Sequence, residues 1–222
     1  LIVELDNQEI GSYPIGNLTP PPMSNRKDIF LTWTNVERKN AERNEVISLR
    51  NAYERTEENQ KAFDKAISAS KDKSPANAIR LFKQLVEKDA NDFVAWSELG
   101  NLYFKEEKYQ ESETAFAKAV SLKGDFLPAL VNLGKVQLSQ KSLESSVKTL
   151  LKAVEVEPAS AEAHHYLGEA YLQSKQGSKA VVHLNKALEL APQQKAEIHL
   201  RLAMLYNAAG LKDRASLEYK AF

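Results

Sequence analysis

From about residue 59 to the end of the chain, apolar side chains recur at i, i+3 and i+7, the spacing of one face of an α-helix. The pattern also repeats itself. The stretches AWSELGNLYF (95–104), ALVNLGKVQL (129–138) and AHHYLGEAYL (163–172) superimpose, with Gly100, Gly134 and Gly168 spaced by 34 residues. Their second halves stay in step through Phe116, Leu150 and Leu184, then Ala119, Ala153 and Ala187, then Gly124, Pro158 and Pro192. A further copy, LRLAMLYNAAG (200–210), runs one residue late, with Ala203 replacing the glycine. Upstream, NAIRLFKQLVEKDA (77–90) carries the second-half signature in Ala78 and Phe82, and its first half, around KAFDKAISAS, is degenerate. Each unit therefore predicts two helices joined by a turn, with units at 59–92, 93–126, 127–160, 161–194 and 196–222. The small residues let the two helices of a unit approach closely. Pro158 and Pro192 stand just past the second helices, where a turning chain has no need of an N–H. One such unit cannot bury its apolar face alone, so the units must stack, and the expected fold is all-α, an α-solenoid.

This pattern resembles the tetratricopeptide repeat (TPR) family. The matching residues are Trp96, Leu99, Gly100 and Tyr103 in the first helix of one unit, and Ser112, Phe116 and Ala119 in its second. Gln137 departs from the family's usual aromatic, and His164 and His199 stand where a large apolar residue is commoner. The resemblance implies a superhelix whose concave groove, lined by the first helices, holds a peptide or an extended partner segment. Carried over unit by unit, the implied groove positions are Ser97, Asn101 and Phe104; Val131, Lys135 and Leu138; His165, Glu169 and Leu172; and Met204 and Asn207, with Leu200 in the same line. Asn101 and Asn132 match two asparagines of the family's clamp for chaperone C-terminal carboxylates. Glu162 and Tyr166 stand where that clamp needs a basic pair, so chaperone-tail binding is not expected. Asn101, Lys135 and Glu169 recur at one position and should form a ladder suited to a peptide of mixed character.

The first part of the chain reads differently. LIVEL (1–5) and DIFLTW (28–33) are strand-like, separated by a loop or extended edge containing Pro20, Pro21 and Pro22. Two strands bury too little to stand alone, so residues 1–34 read as the remnant of a β-rich domain, and Leu1 as a cut end. Residues 35–58 carry charges of both signs with sparse apolar positions at Val46, Leu49 and Tyr53, and predict a long solvated linking helix capped by Asn35. The order of parts resembles bacterial proteins in which a carboxypeptidase-regulatory-like β-sandwich precedes a TPR array. That resemblance tilts localisation toward an extracytoplasmic compartment, periplasmic or exported.

Composition narrows the chemistry. Thirty Lys and Arg balance thirty Asp and Glu. The cancelled charge argues against a nucleic-acid partner, which needs a basic face, and against attachment to an anionic membrane. No cysteine is present, which removes disulfides and thiolate metal sites, and no apolar run approaches the ~20 residues of a membrane span. His164 and His165 are adjacent, so on a helix they point ~100° apart and cannot share a metal without strain. His164 and His199 occupy packing positions, and His165 a groove position. His183 lies in a second helix, and no H-E-x-x-H spacing accompanies any of them. P-loop, nucleophile-elbow and dinucleotide-binding patterns are lacking. The expected protein is a non-enzymatic interaction module with no metal or cofactor. A structural reading remains beside it, in which the solenoid is an assembly subunit using its convex face and ends.

Overall fold

The computed structural model of the chain describes two strands, at 2–5 and 8–12, and residues 52–71, 74–192 and 196–222. The backbone divides into units Leu1–Ile47 and Ser48–Phe222. In the first, β1 (Ile2–Leu5) and β2 (Gln8–Ser12) pair antiparallel, with Ile2 opposite Ser12 and Leu5 opposite Gln8. The strand expected at 28–33 and residues 35–51 of the expected linking helix lie outside the described residues.

The second unit is a run of paired helices. These are α1 (Glu57–Lys71) with α2 (Pro75–Lys88), α3 (Phe93–Lys105) with α4 (Tyr109–Leu122), and α5 (Leu127–Ser139) with α6 (Leu143–Val156). Then follow α7 (Ala161–Gln173) with α8 (Gly177–Leu190), and α9 (Ala196–Ala208) with α10 (Lys212–Ala221). Local chemistry sets several boundaries. Asp92 and Ser160 cap α3 and α7 by accepting the backbone N–H of Ala95 and of Ala163. Pro75 opens α2, where a missing N–H costs nothing. The turn inside each complete repeat ends its first helix the same way. Glu107, Lys141 and Lys175 take φ of 58°, 60° and 58°, and the next N–H reaches back to the carbonyl of Tyr103, Gln137 or Tyr171.

The core runs along the interface between first and second helices. Phe82, Phe116, Leu150 and Leu184 are fully buried. The glycines of the first helices receive three of them. A Cβ built on Gly100 would lie 2.9 Å from the Phe116 ring, and on Gly168 2.7 Å from Leu184 Cγ. Ser112 and Ser146 tie the helices further by donating to the carbonyls of Gly100 and Gly134, both at 2.9 Å.

One boundary differs from the expected linking helix. Residues 52–56 carry no helix, and α1 starts at Glu57. The cause is side-chain recruitment. Arg55 pairs bidentately with the fully buried Asp92, with Nη2 2.8 Å from Oδ1, and its guanidinium lies 3.8 Å over the Phe63 ring. Tyr53 donates to the Asp89 carboxylate at 3.0 Å, and burial together with that carboxylate pushes its phenol pKa up to about 12. Thr56 then accepts from the Asn59 N–H at 3.2 Å. Helix propensity is worth only a few tenths of a kcal/mol per residue, less than a buried charge pair loses when one partner leaves.

Candidate partner-binding groove

The first helices of neighbouring repeats lie side by side, α3 against α5 and α5 against α7. Three hollows of about 240, 420 and 360 Å³ follow these helices, the third lying among α7, the end of α8 and α9, with Ala187, Ala191 and Ile198 in its lining. The first is lined by Glu98, Asn101, Phe104, Asn132 and Lys135. The second is lined by Phe104, Lys135, Leu138, His165, Tyr166 and Glu169, and His165 and Tyr166 also line the third. Phe104 and Lys135 thus join the first hollow to the second, and His165 and Tyr166 join the second to the third.

Polar pairs bridge adjacent repeats across this face. Asn132 Nδ2 donates to Asn101 Oδ1 at 3.1 Å, and Asn101 Nδ2 donates to Glu98 Oε2 at 3.4 Å. Burial raises the Glu98 pKa above the ordinary carboxylate value, and the Asn101 bond partly offsets the shift. The Lys135 ammonium sits 4.9 Å from the Tyr166 ring centre and 5.9 Å from that of Phe104, and pairs with Glu162 at 3.8 Å. Glu169 Oε1 accepts from Arg201 Nε at 3.0 Å, and Arg201 also reaches Glu197 at 3.6 Å. The residues at the position of Asn101 therefore each meet the residue before the core leucine of the next repeat, in turn Asn132, Tyr166 and Arg201. The rungs progress from amide–amide through cation–ring to carboxylate–guanidinium.

This arrangement sorts the expected groove residues. Asn101, Phe104, Lys135, Leu138, His165 and Glu169 line the hollows. Ser97 and Val131 are 3% exposed each, Val131 in a cluster with Ala163 and Tyr166 of the next repeat; of the three residues at this repeat position, His165 lines a hollow. Leu138 is buried as floor, and Leu172 packs against the cluster around Leu167. Met204 is exposed on α9 and Asn207 lies beyond the three hollows. Glu169 is already engaged by Arg201, a residue the repeat comparison did not single out. The available signal was its place one residue before Leu202, equivalent to Asn132 and Tyr166.

The histidines are occupied by packing. His164 is buried, its Nε2–H directed at the Pro158 carbonyl at 3.2 Å. Its Nδ1 therefore accepts, and the 3.0 Å contact to His183 Nδ1 makes His183 the donor. The two rings lie edge to edge with centres 5.2 Å apart and planes 25° from parallel, and the Tyr171 ring lies 5.6 Å from His183, 20° from parallel to it. Burial, and secondly the His164 ring, lower the His183 pKa. His199 Nδ1 bonds Glu218 Oε2 at 2.6 Å. His165 stacks on Tyr166 at 5.0 Å, with its Nε2 buried and unpartnered.

No described helix is long and apolar enough to cross a membrane. Comparison with solved structures returns TPR solenoids. MamA from Desulfovibrio magneticus RS-1 superimposes with a TM-score of 0.69 at 23% identity, covering 74% of this chain and 93% of that one. A second MamA crystal structure gives 0.67 at 20% identity, covering 70% and 91%. YrrB, described as a TPR protein with an unusual peptide-binding site, gives 0.63 at 19%, covering 72% and 82%. These likenesses establish the shared solenoid. Among curated proteins no sequence match was found. The model of one family, described as the cilia and flagella-associated protein 70 middle TPR-like domain, matches residues 66–221. That span takes in every helix from α2 onward, and the chain belongs to this TPR-like family.

Proposed function

We propose that the chain is a non-enzymatic interaction module that holds an extended segment of a partner protein along the first-helix face, over Asn101, Phe104, Lys135, His165 and Glu169. The observation that carries this reading is the continuity of the hollows, which share Phe104 and Lys135, then His165 and Tyr166, across successive repeats. An extended chain rises about 3.3 Å per residue, so a peptide of modest length spans them. The Asn101–Asn132 amides offer backbone-type donors and acceptors at one end. Lys135 between two aromatic rings offers a half-buried cation in the middle. Glu169 is neutralised by Arg201, so the third rung favours polar rather than strongly cationic side chains. With few anchors, micromolar affinity is expected, on the order of the weaker recognition modules.

Selection of 12-residue peptides from a phage library tests this. Selected peptides should bind Lys135→Glu and Asn101→Ala at least about 10-fold more weakly than wild type, and bind Val182→Asp, an exposed second-helix variant, unchanged. The reverse pattern would move the function to the second-helix face and favour the assembly-subunit reading.

A further inference from the structure

A second cleft, of about 250 Å³, lies between α2 and α4 with α3 as its floor, on the second-helix side. Val86, Leu99 and Ala115 form its depth, and the rings of Trp96 and Tyr103 stand at its sides. The indole is fixed by a bond from Nε1 to the Ala90 carbonyl at 3.0 Å. The volume is below the ~300–1,000 Å³ of ordinary cofactor pockets, so the space suits a side chain.

The repeats themselves indicate what fills such a space. The positions of Trp96, Tyr103 and Ala115 correspond to His164, Tyr171 and His183 in the repeat 161–194. There the second helix inserts the His183 ring, which meets His164 edge to edge through the 3.0 Å Nδ1–Nδ1 bond and lies 5.6 Å from the near-parallel Tyr171 ring. In the last repeat Glu218 takes the same place and bonds His199. In the repeat 93–126 the inserted residue is Ala115, and the ring is missing. The cation differs too. Lys179 lies 5.3 Å over Tyr171, and Arg214 lies 5.8 Å over Tyr206. At Tyr103 the equivalent residue is Glu111, an anion, which lines the cleft with Glu87 and Lys83. Neither glutamate forms an ion pair among the described residues.

We propose that this cleft is a docking site for an aromatic side chain with an adjacent basic residue, supplied by a partner protein. The ring enters beside Trp96 and Tyr103, at the place that His183 holds beside His164 and Tyr171. The basic group lies over Tyr103 and against Glu111, the place that Lys179 and Arg214 hold in the later repeats. Apolar and ring contact supplies the attraction, and the two rim carboxylates, Glu87 and Glu111, against the single ammonium of Lys83 supply the preference for positive charge. The site stands independently of the groove, which lies on the other side of the same helices.

The test is NMR titration of the full chain, with the indole resonance of Trp96 assigned through a Trp33→Phe variant, and the tripeptide acetyl-Lys-Phe-Lys-amide as probe. A ligand of this size in a shallow cleft binds on the order of millimolar. Saturable shifts should appear at the Trp96 indole and at the amides of Val86, Leu99 and Ala115, and not at Asn101 or Lys135. Acetyl-Glu-Phe-Glu-amide should bind at least about 5-fold more weakly, since it meets Glu87 and Glu111. Ala115→His should abolish the shifts by supplying the missing ring. The exposed variant Glu111→Lys, which leaves the buried wall intact, should weaken the basic probe and strengthen the acidic one. Failure of the basic probe to saturate by ~20 mM, equal binding of the two probes, or undiminished binding in both variants would overturn the proposal. Shifts confined to Asn101 and Lys135 would do the same and assign the peptide to the groove.

Discussion

Gly168→Ala decides whether helix spacing or helix propensity governs the repeat. In an isolated helix the change adds about 1 kcal/mol of stability. In this fold the new Cβ would lie 2.7 Å from both Cγ and Cδ2 of Leu184, and 3.3 Å from its backbone nitrogen. Carbon atoms rest at about 3.5–4.0 Å, so the leucine side chain must move by about 1 Å. It has no free direction, being fully buried against Ala187, Ile198 and Leu202. The backbone contact means that α8 must also shift. Overpacking of this kind costs about 1–3 kcal/mol, and the rigid neighbour places this site toward the upper end. The net expectation is a loss of about 1–2 kcal/mol, and more for Gly168→Leu. Gly124→Ala is the control, because its Cβ would meet the mobile end of Lys152 at 3.4 Å and the Val120 carbonyl at 3.9 Å, both ordinary contacts. It should leave stability within about 0.5 kcal/mol of wild type. Urea unfolding followed by circular dichroism at 222 nm measures all three variants. The last repeat already carries Ala203 at this position, opposite a Tyr219 that is 47% exposed and so has room to yield. A Gly168→Ala protein about 1 kcal/mol more stable than wild type would refute the close-approach argument.

Two further outcomes follow from the turns and the histidine pair. Lys141 holds φ at 60° where the last repeat uses Gly210 at φ 75°. Relief of left-handed strain, less the entropy glycine adds to the unfolded chain, should make Lys141→Gly about 0.5–1 kcal/mol more stable in the same urea assay; a destabilised variant would contradict it. The His183 pKa is lowered from its ordinary 6.5 by burial and by His164. The unfolded chain then binds a proton there before the folded chain does. Stability is therefore fully present above about pH 6.5 and declines as pH falls toward the folded pKa. Thermal midpoints between pH 8 and pH 5 should fall more steeply for wild type than for His183→Gln, and parallel curves would show that the hydrogen-bonded pair carries no such penalty.

The helix–turn–helix unit, its 34-residue period and the glycine positions were all legible in the sequence. They reflect burial within one repeat, where a small residue and a large one, Gly168 and Leu184 for instance, are separated by a constant number of residues. Periodicity records that kind of contact directly. The outward chemistry was legible only in part. Asn101, Lys135 and Glu169 share a face, as their equal spacing implies, yet the partner of each belongs to the next repeat. Which rows of side chains meet depends on the rotation between neighbouring units, which no single repeat specifies. Packing against Ala163 and Tyr166 of the next repeat also buries Val131, whereas His165 at the equivalent position lines a hollow. Residues 52–56 gave a helical signal weak enough for a distant loop to override, since Arg55 gains more from the buried Asp92 than from a helical turn. The cleft beside Trp96 had a sequence counterpart, Ala115 standing where other repeats place Thr149, His183 and Glu218. A small residue in a helix can mean close packing or an empty place. Only the positions of α2, α3 and α4 in space distinguish Gly100, whose space is filled by Phe116, from Ala115, whose space is open.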